Sequence, residues 1–415
     1  MKVAYYSPLP PERSGIADYS ALLLPELEKR LDVAVVKRGS RRRPRGSDVA
    51  LYHVGNNADA HAWIVDALRR ERGLVVLHDY VLHHLIGGMT LGRGDPDGYL
   101  DAMQREGGIV GRLLGHAVVD ELIPPLWESR AHEFPLAGTV LDRADGVIVH
   151  SHYVDERARE AGYAGPIWRV PLAATPDPPS IAVTLPEGRS PIVGCLGNLN
   201  PAKRIPELLA AFARLRQEHP SALLVLAGAP SPGFDIEAPL KEHGLRAGED
   251  VLVRGYVAED ELWGLIAACD FCVNLRWPTM GETSAAAVQV LTLGRPLVVS
   301  DVGWFSELPD DVAIKVPVDG HEPDALADAL ARLAEDPALR QQLGESAIQY
   351  VAREHSLTRA ADLYVGAIED SLGRGVVLDQ VLGEVGQAAA EVGLSPNGDQ
   401  LGALGKRIRE TGLGG

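Results

Sequence analysis

A carboxylate and two hydroxyls lie next to each other at the predicted start of one helix. Glu282, Thr283 and Ser284 follow an apolar run at 270–275 that predicts a buried strand, with a polar loop containing a proline between them. Three alanines at 285–287 begin the helix, and a Thr or Ser is a typical cap there. Free N–H groups and the helix dipole make such a start favourable for an anion. The alternative is an ordinary capped helix between two strands.

Similar polar loops follow four other predicted strands. Each strand is a short apolar run, and the loops after them are Ser14-Gly15, His78-Asp79, Gly197 to Lys203, and Arg254 to Tyr256. The carboxyl ends of parallel strands meet at one edge of a sheet, which is where ligands of such proteins bind. The GxGxxG pattern of dinucleotide-binding loops is absent, which counts against a dehydrogenase.

Predicted strands and helices alternate along the chain in two halves and carry these loops. Six prolines between 171 and 191 separate the two halves. This pattern predicts an α/β protein with two Rossmann-like parallel-sheet domains and a cleft between them. The predicted divisions are a first domain at 1–172 with a helical insertion at about 87–135, a linker at 173–190, a second domain at 191–355, and C-terminal helices and a tail at 356–415. Helices are expected at 358–372, crossing back to the first domain, and at 376–392 and 400–411.

Charge is unevenly distributed along the 415 residues, whose net charge is −17. Residues 1–172 hold 21 Lys and Arg against 23 Asp and Glu, a net −2, and the rest hold 19 against 34, a net −15. So acidic a chain is a poor partner for nucleic acid. One basic run, Arg41, Arg42, Arg43 and Arg45, lies in the near-neutral half. Such a run is commonly a solvated loop; the alternative is contact with an anionic membrane or an anionic acceptor.

Five segments together resemble the GT-B glycosyltransferases, and specifically the retaining, nucleotide-sugar-dependent enzymes of glycosyltransferase family 4. In chain order they are SPLPPERSGIADYS, VLHDYVLHHL, GNLNPAKRIPELLAAF, VRGYVAEDELWGLIAACDFCVNLRWPTMGETS and GRPLVVSDVGWFSELP. They span the chain to about Leu372. The resemblance implies that the sugar donor binds mainly to the second half.

The resemblance also implies roles for individual residues. Lys203 matches the family's phosphate-binding lysine, whose ammonium neutralises the leaving diphosphate. Thr283 and Ser284 are expected to hold the diphosphate, and Gly15 to let the backbone approach it. His78 matches the family's first-domain histidine near the reacting sugar, although a lone histidine is more often structural.

Two parts of the donor site depart from the family pattern. The family has an Arg where this chain has Asn198, and Arg204 next to Lys203 is either its replacement or a surface residue of the helix. The family has two glutamates, whereas this chain has Gly281 and Gln289 in those places. We expect Glu282 to reach the donor sugar after a one-residue shift, and Gln289 to bind a ribose hydroxyl as a neutral group.

The remaining expectations concern weaker candidates and the chemistry. Tyr256 is a further donor-binding candidate, and Asp18, Asp79 and Arg276 are acceptor or cleft candidates, each of which could instead cap a helix or pair with a charge. No cofactor and no metal are expected, and the one DxD, Asp95-Pro96-Asp97, is interpreted as a turn. The resemblance implies front-face attack, in which the leaving phosphate accepts the proton of the acceptor hydroxyl.

The predicted function is transfer of a hexosyl group from a nucleotide-diphosphate sugar to a glycan, lipid-linked or small-molecule acceptor. GDP-mannose is one donor that the resemblance suggests, with UDP- and other hexoses left open. The alternatives are a non-hydrolysing nucleotide-sugar 2-epimerase and a non-catalytic sugar-nucleotide binding protein. We expect a cytoplasmic protein, with peripheral contact at the inner membrane face left open. A homodimer formed by the tail after Gly373 is also left open.

Overall fold

The computed structural model describes residues 1–12, 14–40, 42–231 and 233–373, and divides the chain into two units. The first comprises Met1–Val170 with the described residues from Ala360 onward, and the second comprises Pro171–Arg359. Arg41 and the helices expected at 376–392 and 400–411 lie outside the described residues. Of the helices in the described part of the chain, none has both the length and the apolarity needed to cross a membrane.

The first unit has a six-stranded parallel sheet in the order β2-β1-β3-β4-β5-β6. All residues of its central strands β3 and β4 are buried, as expected for apolar strands covered by helices on both faces. The strands are β1 Lys2–Tyr6, β2 Asp32–Val35, β3 Val49–Val54, β4 Gly73–Leu77, β5 Ala144–Val149 and β6 Ile167–Arg169. The helices are α1 Gly15–Glu28, α2 Ala58–Arg70, α3 His83–Met89, α4 Pro96–Val119, α5 Leu126–Ser129, α6 Gly138–Leu141 and α7 His152–Glu160.

The second unit has a six-stranded parallel sheet in the order β12-β11-β10-β7-β8-β9. Its direction of winding reverses between β7 and β10, which is where ligands bind in doubly wound sheets. The strands are β7 Ile192–Leu196, β8 Leu223–Ala227, β9 Val251–Gly255, β10 Phe271–Asn274, β11 Leu297–Ser300 and β12 Ala313–Val316. The helices are α8 Ile205–Glu218, α9 Glu237–Glu242, α10 Glu259–Ala268, α11 Ala285–Thr292, α12 Glu322–Glu335 and α13 Pro337–Glu354.

A last helix, α14, covers residues 357–373 and packs on the first unit. The hydroxyl of Tyr19 on α1 donates to that of buried Tyr364 at 3.3 Å. At the other end of the helix, Trp168 Nε1 donates to Asp370 Oδ2 at 3.1 Å. These contacts explain why the residues from Ala360 onward group with the amino-terminal sheet, far from them in sequence.

The structure corrects the interpretation of the DxD segment as a turn. Asp95 is the N-cap of α4, its Oδ1 accepting from Gly98 N at 2.9 Å, and Pro96 and Asp97 form the first helical turn. Proline is favoured at this position because its missing N–H would be unpaired there. The first carboxylate is therefore used by the helix backbone.

Candidate functional site

Two loops meet at the carboxyl end of the second sheet, where its winding reverses. One follows β7 and the other follows β10, and Trp277 N donates to Ala202 O across them at 2.7 Å. A Cβ at Gly197 would lie 3.8 Å from that of Ala286 in the first turn of α11. The topology therefore brings Lys203 close to the segment from Arg276 to Ser284, more than seventy residues later.

Lys203 is buried at this point without an ion-pair partner among the described residues. Its Nζ donates to the carbonyl of Leu196, and a Cβ at Gly197, where φ is +92°, would lie 2.9 Å from that nitrogen. Burial, and then the nearby guanidinium of Arg276, lowers the pKa of Lys203 to about 8. Most of the ammonium groups stay protonated at neutral pH, so the site holds a buried cation.

Arg276 is a second cation at this edge, with only 8% of its surface exposed. Its Nε lies 2.7 Å from Glu282 Oε1 in an ion pair that is not aligned as a hydrogen bond, and the side chain donates no hydrogen bond among the described residues. The other carboxylate oxygen of Glu282 accepts from Met280 N at 2.8 Å and from Thr279 Oγ1 at 3.2 Å. Glu282 thus orients Arg276 and holds its own loop, and the predicted contact with a donor sugar stays a prediction.

The start of α11 adds neutral hydrogen-bonding groups. Ser284 is its N-cap, accepting from Ala287 N at 3.3 Å and from Asn274 Nδ2 at 3.0 Å. The hydroxyl oxygen of Thr283 and the side-chain amide oxygen of Asn274 are buried without a partner among the described residues. Buried polar atoms are normally paired, so these two are available to a bound molecule. Gln289 lies partly buried on the same helix.

The other donor-side candidates are placed differently. Arg204 lies at φ +51° before α8, and its Nε donates to Glu322 Oε1 at 2.6 Å, with a second contact to the other oxygen of that fully buried carboxylate. Its guanidinium is therefore occupied within the unit. Asn198 is exposed after β7, and Tyr256, 65% exposed, follows β9 at the edge of the sheet. Their predicted donor contacts stay predictions.

The candidates of the first unit lie around the carboxyl end of its sheet. Ser14 caps α1, and Gly15 and Asp18 are exposed in its first turn, where a Cβ at Gly15 would meet nothing within 4 Å. Asp79 Oδ2 accepts from Asn56 N at 2.8 Å in the loop after β3. The arrangement leaves the backbone at Gly15 open to a ligand.

His78 is the middle member of a buried chain of three histidines. Its Nε2 lies 3.0 Å from His53 Nδ1, its Nδ1 lies 3.1 Å from His150 Nε2, and His150 Nδ1 lies 2.8 Å from the carbonyl of Val170. That carbonyl can only accept, so we assign the proton to Nδ1 of His150. Each neutral ring then accepts at Nε2 from the next, and the chain ends at His53 Nε2, which is buried and unpartnered among the described residues.

Two rings of this chain, those of His53 and His78, lie in an environment that disfavours the charged form. Burial, and then the neighbouring histidines, lowers the pKa of His78 and of His53 well below the usual value, and burial lowers that of His61 to about 4. The edge of Tyr19 contacts His78 at 5.5 Å between ring centroids. With both nitrogens bonded and no charge, His78 is held as a neutral, oriented ring.

The sequence analysis did not identify His53, His150 or Asn274. His53 lies inside the buried run of β3, and His150 directly follows β5. The available signal was a histidine at or just after the carboxyl end of each of three strands. This signal is informative only when the strand order shows that the three strands are neighbours. Asn274 ends a buried apolar strand, where an amide has no packing role, and this oddity could have marked it.

Comparisons with known proteins show similarity to glycosyltransferases over part of the chain. Residues 179–350 match the family model described as glycosyl transferases group 1. The chain is 28% identical over 177 residues to the alpha-D-kanosaminyltransferase of Streptomyces kanamyceticus, covering 42% of this chain and 45% of that protein. It is 32% identical over 199 residues to the D-inositol 3-phosphate glycosyltransferase of Salinispora tropica, covering 45% and 40%. The chain spans less than half the length of these curated relatives.

Solved structures show the fold over most of the chain. The sucrose-phosphate synthase from Thermosynechococcus elongatus superposes with a TM-score of 0.62 at 19% identity, covering 90% of this chain and 100% of that one. Anabaena HepE in complex with UDP and glucose gives a TM-score of 0.59 at 15% identity, covering 89% and 100%. The predicted fold class is confirmed: the chain has the GT-B architecture of two Rossmann-like parallel-sheet domains. Its second unit contains a segment homologous to glycosyltransferases.

Proposed function

We propose that the protein is a retaining glycosyltransferase, similar to those of family 4, that transfers a hexosyl group from a nucleoside diphosphate sugar to a hydroxyl. One observation carries the proposal. Lys203 and Arg276 are buried together at the winding reversal of the second sheet, with Glu282 as the one carboxylate in contact with either among the described residues. Two cations against one anion leave a net positive charge in a poorly solvated place, which a bound diphosphate would neutralise.

The donor diphosphate would lie between these cations and the start of α11. Lys203 Nζ and the guanidinium of Arg276 would supply charge-assisted hydrogen bonds, and the hydroxyl of Thr283, unpartnered among the described residues, would supply a neutral one. The helix N-terminus adds the positive end of its dipole. Arg276 would therefore take the place of the missing arginine at Asn198, and Glu282 would act as the residue that positions it.

The same groups would stabilise the transition state. Negative charge builds up on the diphosphate as the glycosidic bond breaks, and fixed cations in a water-poor site stabilise that charge most where it develops. The leaving phosphate oxygen would accept the proton of the attacking hydroxyl on the same face, which retains the anomeric configuration. We expect no metal requirement, because lysine, arginine and the helix supply the positive charge.

Two other functions have weaker support. A 2-epimerase is not favoured, because the relatives that match in sequence are named as transferases. A non-catalytic nucleotide-sugar binding protein would keep the same cations. Such a protein would bind donors but would catalyse neither transfer to an acceptor nor slow hydrolysis, so it would release no nucleoside diphosphate.

The first test is thermal stabilisation by UDP, GDP and their hexose conjugates, with and without Arg276→Gln. A nucleotide at one hundred times its Kd adds about 2.7 kcal/mol to the free energy of unfolding. We expect nucleotides with one of the two bases to stabilise the protein. Arg276→Gln should weaken the binding of those nucleotides roughly tenfold or more, because a charge-assisted hydrogen bond contributes about 1.5–3 kcal/mol. The matched control is Arg332→Gln, since Arg332 is exposed in the last turn of α12, outside the loops that follow the strands.

Failure of every nucleotide to stabilise the protein would contradict the proposal. Binding without any release of nucleoside diphosphate, across donors and acceptors, would favour the binding-protein alternative. With an active pair, the anomeric configuration of the product measured by NMR tests retention, and a chelator tests the expected independence from metals.

A further inference from the structure

A second positively charged site lies in the first unit, on a face of the sheet away from the histidine chain. Successive residues of a strand point to opposite faces, so Tyr5 and His53 lie on one face and Tyr6 and Tyr52, which are neighbours in register, on the other. On the second face the loop between β2 and β3 and the last turn of α2 enclose a cavity of about 340 Å³. Its polar lining residues are Tyr6, Ser40, Arg42, Arg43, Arg70 and Glu71.

Among the described residues, three arginines and one carboxylate line this cavity, a net charge of +2. Arg43 is held in place, with Nη1 3.0 Å from Glu71 Oε1 and Nη2 donating to Ser47 O at 2.7 Å. Arg42 and Arg70 form no ion pair or hydrogen bond among the described residues. One arginine is therefore fixed by the protein, and two are available to a ligand.

The floor of the cavity is rigid and polar. Tyr6 is 4% exposed, and its ring lies 4.5 Å from that of Tyr52. The hydroxyl of Tyr52 donates to the carbonyl of Glu71 at 2.9 Å, which ties the sheet to the end of α2. Burial raises the pKa of Tyr6, so its phenol stays protonated and does not add negative charge to the site.

We propose that this cavity binds a phosphate monoester group. Guanidinium groups match the oxygens of phosphate in paired hydrogen bonds, and the monoester carries nearly two negative charges at neutral pH, which balances the net charge of the lining. A water molecule occupies about 30 Å³, so the cavity has room for roughly eleven and can hold a group larger than phosphate.

The phosphate monoester has two sources, a small soluble molecule or a lipid headgroup, and the full-length protein can distinguish them. Glucose 6-phosphate is titrated calorimetrically, with glucose as its neutral match. Vesicles of phosphatidylcholine with phosphatidic acid, a monoester, are compared in sedimentation with vesicles that contain phosphatidylglycerol, a diester. The site variant is Arg42→Gln with Arg70→Gln. The control is Arg45→Gln with Arg69→Gln, which removes the same charge from neighbours that do not line the cavity.

We expect glucose 6-phosphate or the phosphatidic acid vesicles to bind, and the site variant to weaken that binding by at least about tenfold, with the control unchanged. The magnitude follows from losing charge-assisted hydrogen bonds of about 1.5 kcal/mol or more each, since 1.4 kcal/mol is tenfold. Binding of the soluble probe alone identifies a small-molecule site, and binding of the vesicles alone identifies a headgroup site. Absence of binding to every probe overturns the proposal. Equal weakening in both variant pairs, or equal binding to both kinds of anionic vesicle, also overturns it, because it would show only general charge attraction.

Discussion

At the carboxyl end of the first sheet, buried histidines are hydrogen-bonded to one another, whereas at the same end of the second sheet a lysine and an arginine are buried with one glutamate. Burial penalises the charged form in both places. His53 and His78 respond by losing their protons. Arg276 cannot do so, and Lys203 does so only at a pKa of about 8.

The comparison shows where free energy is available for binding an anion. Burial keeps His53 and His78 neutral, so the histidine chain offers no buried positive charge for an anion to neutralise. Buried cations with too few carboxylates gain strongly from one, because the ligand replaces the water that folding removed. The second edge is therefore where we propose that the diphosphate binds.

Removing the ammonium group of Lys203 should have the largest effect on activity, and it tests the difference between the two sheet edges. Lys203→Met should lower kcat for transfer about 10²–10³-fold, as the loss of one fixed group at a developing charge typically does. The lowered pKa means that folding disfavours the charged amine at neutral pH by about 3 kcal/mol, and that stability contributed by this group rises with pH between about 8 and 10.5. The melting temperature of the ligand-free variant should therefore not fall.

The matched control for this experiment is Lys241→Met on α9, because Lys241 is exposed and distant in sequence from the site. Its activity should equal that of the unmodified protein. Retained activity in Lys203→Met would remove the role assigned to the buried ammonium.

The next largest effect should distinguish the role of Arg204 from that of Arg276 in the second unit. Arg204→Gln should lower the free energy of unfolding by about 3 kcal/mol, because it leaves the fully buried carboxylate of Glu322 without its cation. Donor affinity should change little. The control Arg214→Gln breaks an exposed pair with Asp324 and should cost at most about 1 kcal/mol in denaturant unfolding. The opposite result, weak donor binding with unchanged stability, would make Arg204 a donor ligand, as the sequence predicts.

The smallest effect tests the histidine chain through pH. A histidine with a folded pKa below its unfolded value of about 6.5 contributes stability that is present above pH 6.5 and is lost as the pH falls below it. Lowering the pH to about 5 should therefore reduce the free energy of unfolding through both His53 and His78.

This loss is measured by denaturant unfolding at about pH 7.5 and about pH 5. His78→Asn should reduce the difference between the two values, and the control His321→Gln, at an exposed histidine, should leave it unchanged. If the difference in unfolding free energy between the two pH values is unchanged in His78→Asn, the histidine chain is not the cause of the loss of stability in acid.

Features that depend on neighbours along the chain could be predicted from the amino-acid sequence alone. The alternation of apolar runs and helices predicted two parallel α/β units, and this was correct. Ser284 caps α11, and β11 covers Leu297–Ser300, both as expected. Caps, turns and hydrophobic periodicity act over a few residues, so their signal is local.

The partner of each functional side chain, in contrast, is visible only in the folded chain. Glu282 contacts Arg276 and its own loop, Arg204 pairs with Glu322 more than a hundred residues later, and His78 lies between His53 and His150. Each residue type was visible beforehand, but a charge or a ring nitrogen takes whichever partner the strand order brings near. That order is set by long-range packing, which local patterns do not encode.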